Sequence, residues 1–135
     1  MIADTNKIKV NKEDSLIRKE FDRFIIHNGH PCVMARNMFR QKKVNMHIYD
    51  NFGTKETAHK ILNDLRNYLH NYDFTNNDFY TFIAVFKSEL KLNDEKQYER
   101  LLWQQLQFLH EADDRPWDAN VSSDPMNENF SFSLL

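Results

Sequence analysis

The chain has 135 residues, enough for one domain with a real hydrophobic core. Apolar residues make up 41% and aromatic residues 13%, which excludes a disordered chain. The net charge is −2 with both signs interspersed, which argues against a dedicated nucleic-acid surface. The one basic cluster, Arg36, Arg40, Lys42 and Lys43, is explained equally well by a solvated helix end.

Several common kinds of site and segment are excluded by composition. Cys32 is the single cysteine, so an internal disulfide and a Cys-rich zinc site are ruled out. With Gly29 and Gly53 as the only glycines, no glycine-rich phosphate loop can be present. The chain opens on no secretory segment and contains no apolar run near the ~20 residues of a membrane span. We therefore expect a soluble, cytoplasmic protein.

The first third of the chain predicts a flexible arm followed by two helices. Residues 1–12 are polar and aperiodic, and the domain is expected to occupy residues 13–135. Helical spacing predicts a helix from about Asp14 to His27, ended by Gly29 and Pro31. The apolar positions of this helix are Leu16, Ile17, Phe21, Phe24 and Ile25. A second short helix is predicted over residues 32–40, with Val33, Met34 and Phe39 facing inward.

The middle of the chain predicts a strand, a helix and a second strand. Residues 44–49 alternate between apolar and polar side chains, which is typical of a half-buried strand. A helix should begin at Thr54, its N-cap, and carry an apolar stripe to Tyr72. That stripe comprises Ala58, Ile61, Leu62, Leu65, Tyr68, Leu69 and Tyr72. Residues 79–86 are almost continuously apolar and indicate a central strand covered on both faces.

The last third predicts a helix, a long polar loop and a final strand. Asn93 or Asp94 should cap the helix, and Arg115-Pro116 should stop it. Its expected inner side carries Tyr98, Leu101, Leu102, Leu106 and Leu109. From residue 130 onward, Phe and Leu alternate with Ser in a strand. We therefore predict an α/β or α+β fold with a mixed sheet of about three strands and helices packed on it.

Two clusters could carry chemistry. His110, Asp113 and Asp114 would share one helical face, where they could ligate a divalent metal or form an acid–base pair. Equally, His110 could simply cap the helix C-terminus with Asp113 as its partner. Cys32 near a helix N-terminus could be a thiolate or a small buried residue, and Arg36 could bind a carboxylate.

Two tryptophans bracket the acidic run of the last third. Trp103 and Trp117 could wall a pocket for a planar group or cover the edge of the core. The residue pattern leaves both alternatives open.

In order and spacing, these segments resemble the YqcI/YcgG family from about Phe24 to Ser133. The resemblance is carried by Pro31-Cys32 with Ala35 and Arg36, by Phe82 to Phe86, by Leu102-Trp103, Leu106-Gln107, Leu109-His110, Asp113 and Trp117-Asp118, and by Val121-Ser122, Asp124-Pro125 and Phe130 to Ser133. That family includes haem-dependent N-hydroxylases of guanidino groups. The resemblance implies a monooxygenase that uses haem b and molecular oxygen on an arginine-like small molecule, with the electron donor unspecified.

The resemblance also implies roles for individual residues. Asp113 and Arg36 are the expected catalytic residues, and His110 is an expected iron ligand. Cys32, Trp103 and Trp117 are expected to bind the cofactor with His110. Acidic side chains near the end of the last helix would suit a cationic guanidinium. No nucleic-acid or membrane partner is expected.

Family members continue past the final strand, so the resemblance implies an N-terminal portion of a longer domain, truncated at the C-terminus. Leu134-Leu135 stand where glycines are expected. Part of the haem pocket, or the iron ligand itself, could then lie outside this chain. Two other hypotheses stay open. One is a non-catalytic remnant that folds partly, or that assembles with another copy through an open strand edge. The other is a non-haem metal hydrolase built on His110 and the acids.

Overall fold

The computed structural model describes residues 3–73, 75, 80–87 and 94–135, with side chains described from residue 12 onward. The described elements are α1 (Ala3–Asp22), a π-helical turn (Arg23–His27), α2 (Val33–Arg40), β1 (Val44–Tyr49), α3 (Lys55–Asn71), β2 (Thr81–Phe86) and α4 (Glu95–Ala112). This is the mixed α/β class expected from the sequence. The chain divides into two compact units.

The sheet within the described residues has two strands, β1 and β2, which run parallel. Thr81 N donates to Lys43 O at 3.1 Å and Lys87 N donates to Tyr49 O at 2.8 Å, so the register advances in step on both strands. All six residues of β2 are half-buried. The prediction of a central strand covered on both faces is therefore wrong for this part of the chain.

The first unit comprises Met1–Ile48 and Asp73–Val85. Its first helix begins at Ala3, whereas the sequence predicted a helix only from Asp14 and a loose arm before it. The predicted end at His27 is confirmed, because the π-helical turn closes with Asn28 N bonded to Arg23 O at 3.0 Å. Whether residues 1–12 behave as a flexible arm separate from a domain over 13–135 stays a prediction.

Burial in the first unit differs from the predicted pattern. Ile25 and Met46 are buried, at 8% and 6% exposure. Val33 and Met34 were expected to face inward from α2 but are 56% and 51% exposed. The sequence pattern of this short amphipathic helix does not specify which neighbours its apolar residues meet, so their burial was predicted wrongly.

The second unit comprises Tyr49–Tyr72 and Phe86–Leu135, and in it α3 packs on α4. Thr54 caps α3 as predicted, since its Oγ1 accepts from Thr57 N at 3.2 Å. The buried side of α3 carries Thr57, Ala58, Ile61 and Leu62, which confirms the first half of the predicted stripe.

The buried side of α4 matches the expected one at Leu109 but differs from it at other positions. Gln105 and Leu109 are 1% and 5% exposed, whereas Tyr98 and Leu102 are each 44% exposed. Gln105 Oε1 accepts from Gly53 N at 2.8 Å and from Thr54 N at 3.3 Å, and its Nε2 donates to Thr54 O at 3.1 Å. A buried glutamine therefore fixes the loop that begins α3, because it satisfies polar backbone groups that packing removes from water.

The predicted final strand is not formed within the described residues. Residues 131–135 form no strand; among the described residues the segment has an isolated parallel bridge between Ser122 and Phe130, in which Ser131 N donates to Ser122 O at 3.4 Å. The strand edge on which the self-assembly hypothesis depended is therefore not supplied by this segment. Instead, Phe130 and Phe132 line a cavity, and Ser133 Oγ accepts a hydrogen bond from Asp118 N.

Candidate functional site

The last helix ends at Ala112 because Asp113 takes an extended backbone conformation, with φ −76° and ψ 125°. Asp113 caps the helix C-terminus with its N–H bonded to Leu109 O at 2.9 Å. Its Oδ1 accepts from Arg115 N at 3.2 Å, and its Oδ2 accepts from Leu135 N at 3.0 Å. Pro116 then provides no backbone N–H. One carboxylate thus joins the end of α4 to the end of the chain.

The segment after α4 is ordered by side chains that accept from backbone groups two residues later. This holds for Asp118 with Asn120 N, Ser122 with Asp124 N, Asp124 with Met126 N and Asn127 with Asn129 N, at 2.8 to 3.1 Å. Such turns let a loop satisfy its polar backbone without helix or strand pairing. The polar composition that predicted a loop here is therefore the cause of its shape.

Two contacts fold the segment back on itself. Asp118 N donates to Ser133 Oγ at 3.1 Å, and Ser122 N donates to Asn129 O at 3.0 Å. Phe130 and Phe132 are thereby brought against Trp117, with ring centroids 6.1 and 5.4 Å away. Ser133 therefore makes a polar contact, while Phe130 and Phe132 join an aromatic cluster with Trp117.

The cluster continues onto α4. The ring of His110 lies 5.4 Å from that of Trp117 at an interplanar angle of 68°, and the rings of Trp103 and Phe130 lie 6.1 Å apart. Edge-on and tilted pairs of this kind each stabilise the folded chain by roughly 0.5–1.5 kcal/mol beyond area burial. The arrangement leaves space between the rings rather than filling it.

That space is a cavity of about 390 Å³, here called the aromatic cavity. Its lining comprises Trp103, Leu106, Gln107, His110, Trp117, Ser123, Pro125, Phe130 and Phe132. Asp, Glu, Lys and Arg are absent from this described lining. Three of the side chains singled out from the sequence, Trp103, His110 and Trp117, thus lie together, and the volume falls in the range of ligand sites.

One buried polar group of the aromatic cavity lacks a hydrogen-bond partner among the described residues. Trp117 Nε1 is buried without a hydrogen-bond partner. The ring of His110 is exposed, and its contact within the described part of the chain is with Trp117. A buried indole N–H normally finds an acceptor, so an acceptor on a bound molecule is a physical explanation for this one.

The acidic residues occupy other positions than expected. Since α4 ends at Ala112, His110, Asp113 and Asp114 do not share a helical face. Asp114 pairs with Arg66 at 3.6 Å, and both oxygens of Asp113 accept backbone N–H groups. Over the described residues, no three His, Cys, Asp or Glu side chains are grouped so that they could hold a metal ion. A hydrolytic metal site on His110 and the acids therefore has no geometric support.

Cys32 and Arg36 belong to the first unit. Cys32 is the exposed N-cap of α2, and its backbone N–H bonds to His30 Nδ1 at 3.1 Å. Arg36 lies one turn into α2, and its Nε is buried without a hydrogen-bond partner. Their predicted roles in catalysis and cofactor binding stay predictions.

Sequence reasoning missed six of the nine residues in the described cavity lining. Phe130 and Phe132 were assigned to a strand, and Leu106 to a core stripe, although all three line the aromatic cavity. The usable signal was the spacing of Trp117 from the two phenylalanines across a loop rich in Asp, Asn and Ser. That loop composition indicates a tight return rather than an extended strand.

Together these features define a helix-rich α/β protein with an aromatic cavity at the end of its last helix. The chain belongs to the YqcI/YcgG family, which it matches over residues 21–135, as the resemblance indicated. A putative N(omega)-hydroxy-L-arginine synthase, DcsA, of Streptomyces lavendulae is 31% identical over 106 residues, which cover 76% of this chain and 40% of that protein. No solved structure matches the chain significantly.

The chain spans less than half the length of that curated relative. Among the described residues, no helix combines the length and apolar character needed to cross a bilayer.

Proposed function

We propose that this chain supplies part of a haem-dependent monooxygenase that N-hydroxylates the guanidino group of an arginine-like small molecule. The observation that carries the proposal is the aromatic cavity, in which three side chains selected from the sequence lie together. Family membership and the printed name of the DcsA relative support the substrate class.

The residues of the aromatic cavity fit one edge of a planar, mostly apolar cofactor such as haem b. Trp117, Phe130 and Phe132 provide flat apolar faces, and His110 is the imidazole in the described lining. Imidazole is a common axial ligand of haem iron. The buried, unpartnered Trp117 Nε1 adds a donor for an acceptor on the bound group. On this basis His110 would hold the iron, and Trp103 and Trp117 would hold the ring.

When bound, haem would supply the oxygen activation that no side chain can perform. The chain's own task is to keep water away and to orient its groups. Two hydrogen bonds, donated by Leu135 N to Asp113 Oδ2 and by Asp118 N to Ser133 Oγ, hold the phenylalanines against Trp117. We propose this positioning role for Asp113, alongside the catalytic role predicted from the resemblance, because its carboxylate already accepts two N–H groups.

A guanidinium substrate is a planar cation, which favours both aromatic faces and carboxylates. Trp103 is 41% exposed beside the cavity, so its face is accessible to such a cation. Asp118 directly follows Trp117 but is exposed and lies outside the described cavity lining, and its Oδ1 accepts from Asn120 N. We propose that its other oxygen binds the guanidinium at the cavity edge through a charge-assisted hydrogen bond. We expect Asp118→Asn to weaken L-arginine binding to the haem-loaded protein several-fold, measured from spectral shifts in an arginine titration. Unchanged affinity would show that Asp118 does not contact the guanidinium.

The proposal is tested by titrating the purified chain with hemin and following the Soret band. We expect a saturable one-to-one shift that is lost in His110→Ala. His59→Ala is the matched control, because His59 is an exposed histidine on α3. Cys32→Ala tests the thiol as an alternative ligand.

Equal hemin binding by His110→Ala and the unsubstituted chain would remove His110 as the iron ligand. Loss of the shift in Cys32→Ala alone would place the ligand in the first unit instead. A titration without any saturable shift would contradict the assignment of the aromatic cavity as the haem-holding part of this chain.

A further inference from the structure

A second concave site lies entirely within the first unit. It is a cleft of about 640 Å³, here called the basic cleft. Its lining comprises Arg18, Asp22, Ile26, His27, Phe39, Arg40, Lys42, Val44 and Met46. Residues from α1, the π-helical turn, the end of α2 and the start of β1 thus meet around one space, whose volume suits a small organic ligand.

The basic cleft combines a cationic rim with an apolar floor. The described lining contains three cationic side chains, Arg18, Arg40 and Lys42, and one carboxylate, Asp22, although the whole chain is slightly acidic. Ile26, Phe39, Val44 and Met46 are half-buried or buried. Charge enrichment of this kind in a concave site attracts anions, and the apolar floor favours a ligand that carries a hydrophobic body.

One cation is held in place. Arg18 donates from Nη2 to Met46 O at 2.7 Å across 28 positions of sequence. The bond orders the guanidinium at the cleft and occupies one of its five N–H groups. The other N–H groups of this planar fork have the geometry that recognises a carboxylate or phosphate.

Lys42 occupies a backbone position that a lysine rarely adopts. Its φ is +55°, and it follows the C-cap of α2. Lys42 N bonds to Phe39 O at 3.2 Å and Lys43 N bonds to Met38 O at 3.0 Å, which is the helix ending that normally carries glycine. A lysine there costs stability relative to glycine, and binding by its side chain outside the helix would offset that cost.

The side chains of Arg40 and Lys42 are not needed to cap α2. Gln41 N, Lys42 N and Lys43 N already satisfy the carbonyls of Asn37, Phe39 and Met38. The side chains of Arg40 and Lys42 are therefore not required as hydrogen-bond donors to the helix end. The basic sequence cluster also separates in the structure, since Lys43 Nζ lies 5.8 Å from the centroid of the Tyr80 ring while Arg40 and Lys42 line the cleft.

We propose that the basic cleft binds a small organic oxyanion, a carboxylate or a phosphate monoester, attached to an apolar body. Arg18, Arg40 and Lys42 bind the oxyanion, and Phe39, Val44 and Met46 contact the body. The site is built from the first unit alone and is independent of the function proposed for the aromatic cavity.

The test uses calorimetric titration of the chain with naphthylacetate, naphthyl phosphate and the neutral naphthylethanol. We expect one-to-one binding of at least one anion with a Kd below about 1 mM and at least roughly tenfold weaker binding of the alcohol. The two anions distinguish a carboxylate site from a phosphate site. Binding of neither anion, or equal binding of the alcohol, overturns the proposal.

Two variants within the cleft and two controls outside it locate the site. Arg40→Gln and Lys42→Gly should each weaken anion binding roughly fivefold, as expected for the loss of one charge-assisted contact. Lys19→Gln, a substitution of an exposed cation next to Arg18 but outside the cleft lining, is the control and should bind normally. His110→Ala should also bind normally, which separates this site from the aromatic cavity.

Lys42→Gly also guards against an unfolding artefact. Glycine suits the left-handed position, so the melting temperature should stay the same or rise while anion binding falls. Weakened binding in a variant that is at least as stable supports the proposal. Unchanged binding in both Arg40→Gln and Lys42→Gly contradicts it.

Discussion

At the scale of single residues, two buried polar side chains hold the second unit together. Gln105 satisfies backbone groups of the loop before α3, and Tyr49 OH donates to Asp64 Oδ2 at 2.7 Å. Tyr49 is 5% exposed. Buried polar groups stabilise a fold when every partner is present, and their loss leaves the partners unsatisfied.

Removing the glutamine should therefore be costly. We expect Gln105→Leu to lower the free energy of unfolding by about 3 kcal/mol, because the N–H groups of Gly53 and Thr54 lose their acceptor. Urea denaturation followed by circular dichroism measures the change. Gln107→Leu is the matched control on the same helix, where one exposed contact to Glu111 is lost and a change within about 0.5 kcal/mol is expected. Equal effects of the two substitutions would contradict the assigned role of Gln105.

Tyr49 gives the stability of the chain a specific dependence on alkaline pH. Burial, followed by its hydrogen bond to Asp64 and the charge of that carboxylate, raises the pKa of Tyr49 well above its ordinary value. The unfolded tyrosine ionises first, near pH 10. The contribution of Tyr49 to the free energy of unfolding is therefore complete below about pH 10 and is lost as the pH rises above that value. Burial also raises the pKa of Tyr68, which adds to the same trend.

Substitution of Tyr49 isolates its contribution to the pH dependence of the free energy of unfolding. We expect Tyr49→Phe to lower the free energy of unfolding by about 1–2 kcal/mol at neutral pH, since the bond to Asp64 is lost. The difference from the unsubstituted chain should narrow above about pH 10 in denaturation curves recorded from pH 7 to 11. Tyr98→Phe, at an exposed position on α4, is the control. A difference that stays constant with pH would refute the account.

At the scale of secondary-structure elements, the sequence predicts features that depend on neighbouring residues better than features that depend on distant contacts. The α3 N-cap at Thr54 follows from a residue type and its distance from an apolar stripe, so the sequence predicts it. The burial of Gln105 depends on a loop about fifty positions away, which no local pattern records. The alternation at Phe130 and Phe132 predicted a strand, but contacts through Asp118 and Asp113 determine the segment. Three members of the candidate site were foreseen because bulky aromatic and imidazole side chains are informative by type alone.

The loop between β1 and α3 also depends on a glycine. Gly53 has φ +81°, and a Cβ there would lie 3.0 Å from Leu101 Cδ2. We expect Gly53→Ala to lower the free energy of unfolding by about 2 kcal/mol, through backbone strain and displacement of Leu101. Gly29→Ala is the comparison, since Gly29 has φ +64° but no atom within 4 Å of an added Cβ. Thermal denaturation should show the smaller loss, about 1 kcal/mol, for Gly29→Ala. The reverse order would mean that crowding at Leu101 is not decisive.

At the scale of the whole molecule, the described core is small for the length of the chain. Its buried apolar residues are Ile25, Met46, Tyr49, Ala58, Ile61, Leu62 and Leu109. Large apolar side chains such as Leu16, Phe24 and Leu102 are exposed, at 57%, 56% and 44%. Little buried area implies a small free energy of unfolding. We therefore predict marginal stability, and calorimetry should give a broad transition at low temperature. A sharp cooperative melt of a monomer at high temperature would contradict this.

The central claim is that the aromatic cavity receives a planar group. The full sequence contains two tryptophans, Trp103 and Trp117, and both line the cavity. Their indole N–H signals in a nitrogen–proton correlation spectrum therefore report directly on it. Gallium protoporphyrin, a diamagnetic stand-in for haem, shifts nearby signals through its ring current.

The decisive measurement is a titration of the labelled chain with gallium protoporphyrin. We predict saturable shifts of both indole signals at one-to-one stoichiometry, largest for Trp117 because its Nε1 is buried and without a partner. The shifts should be lost or strongly reduced in His110→Ala. Indole signals that stay unmoved while backbone signals of residues 12–48 shift would place the planar group in the first unit and contradict the claim.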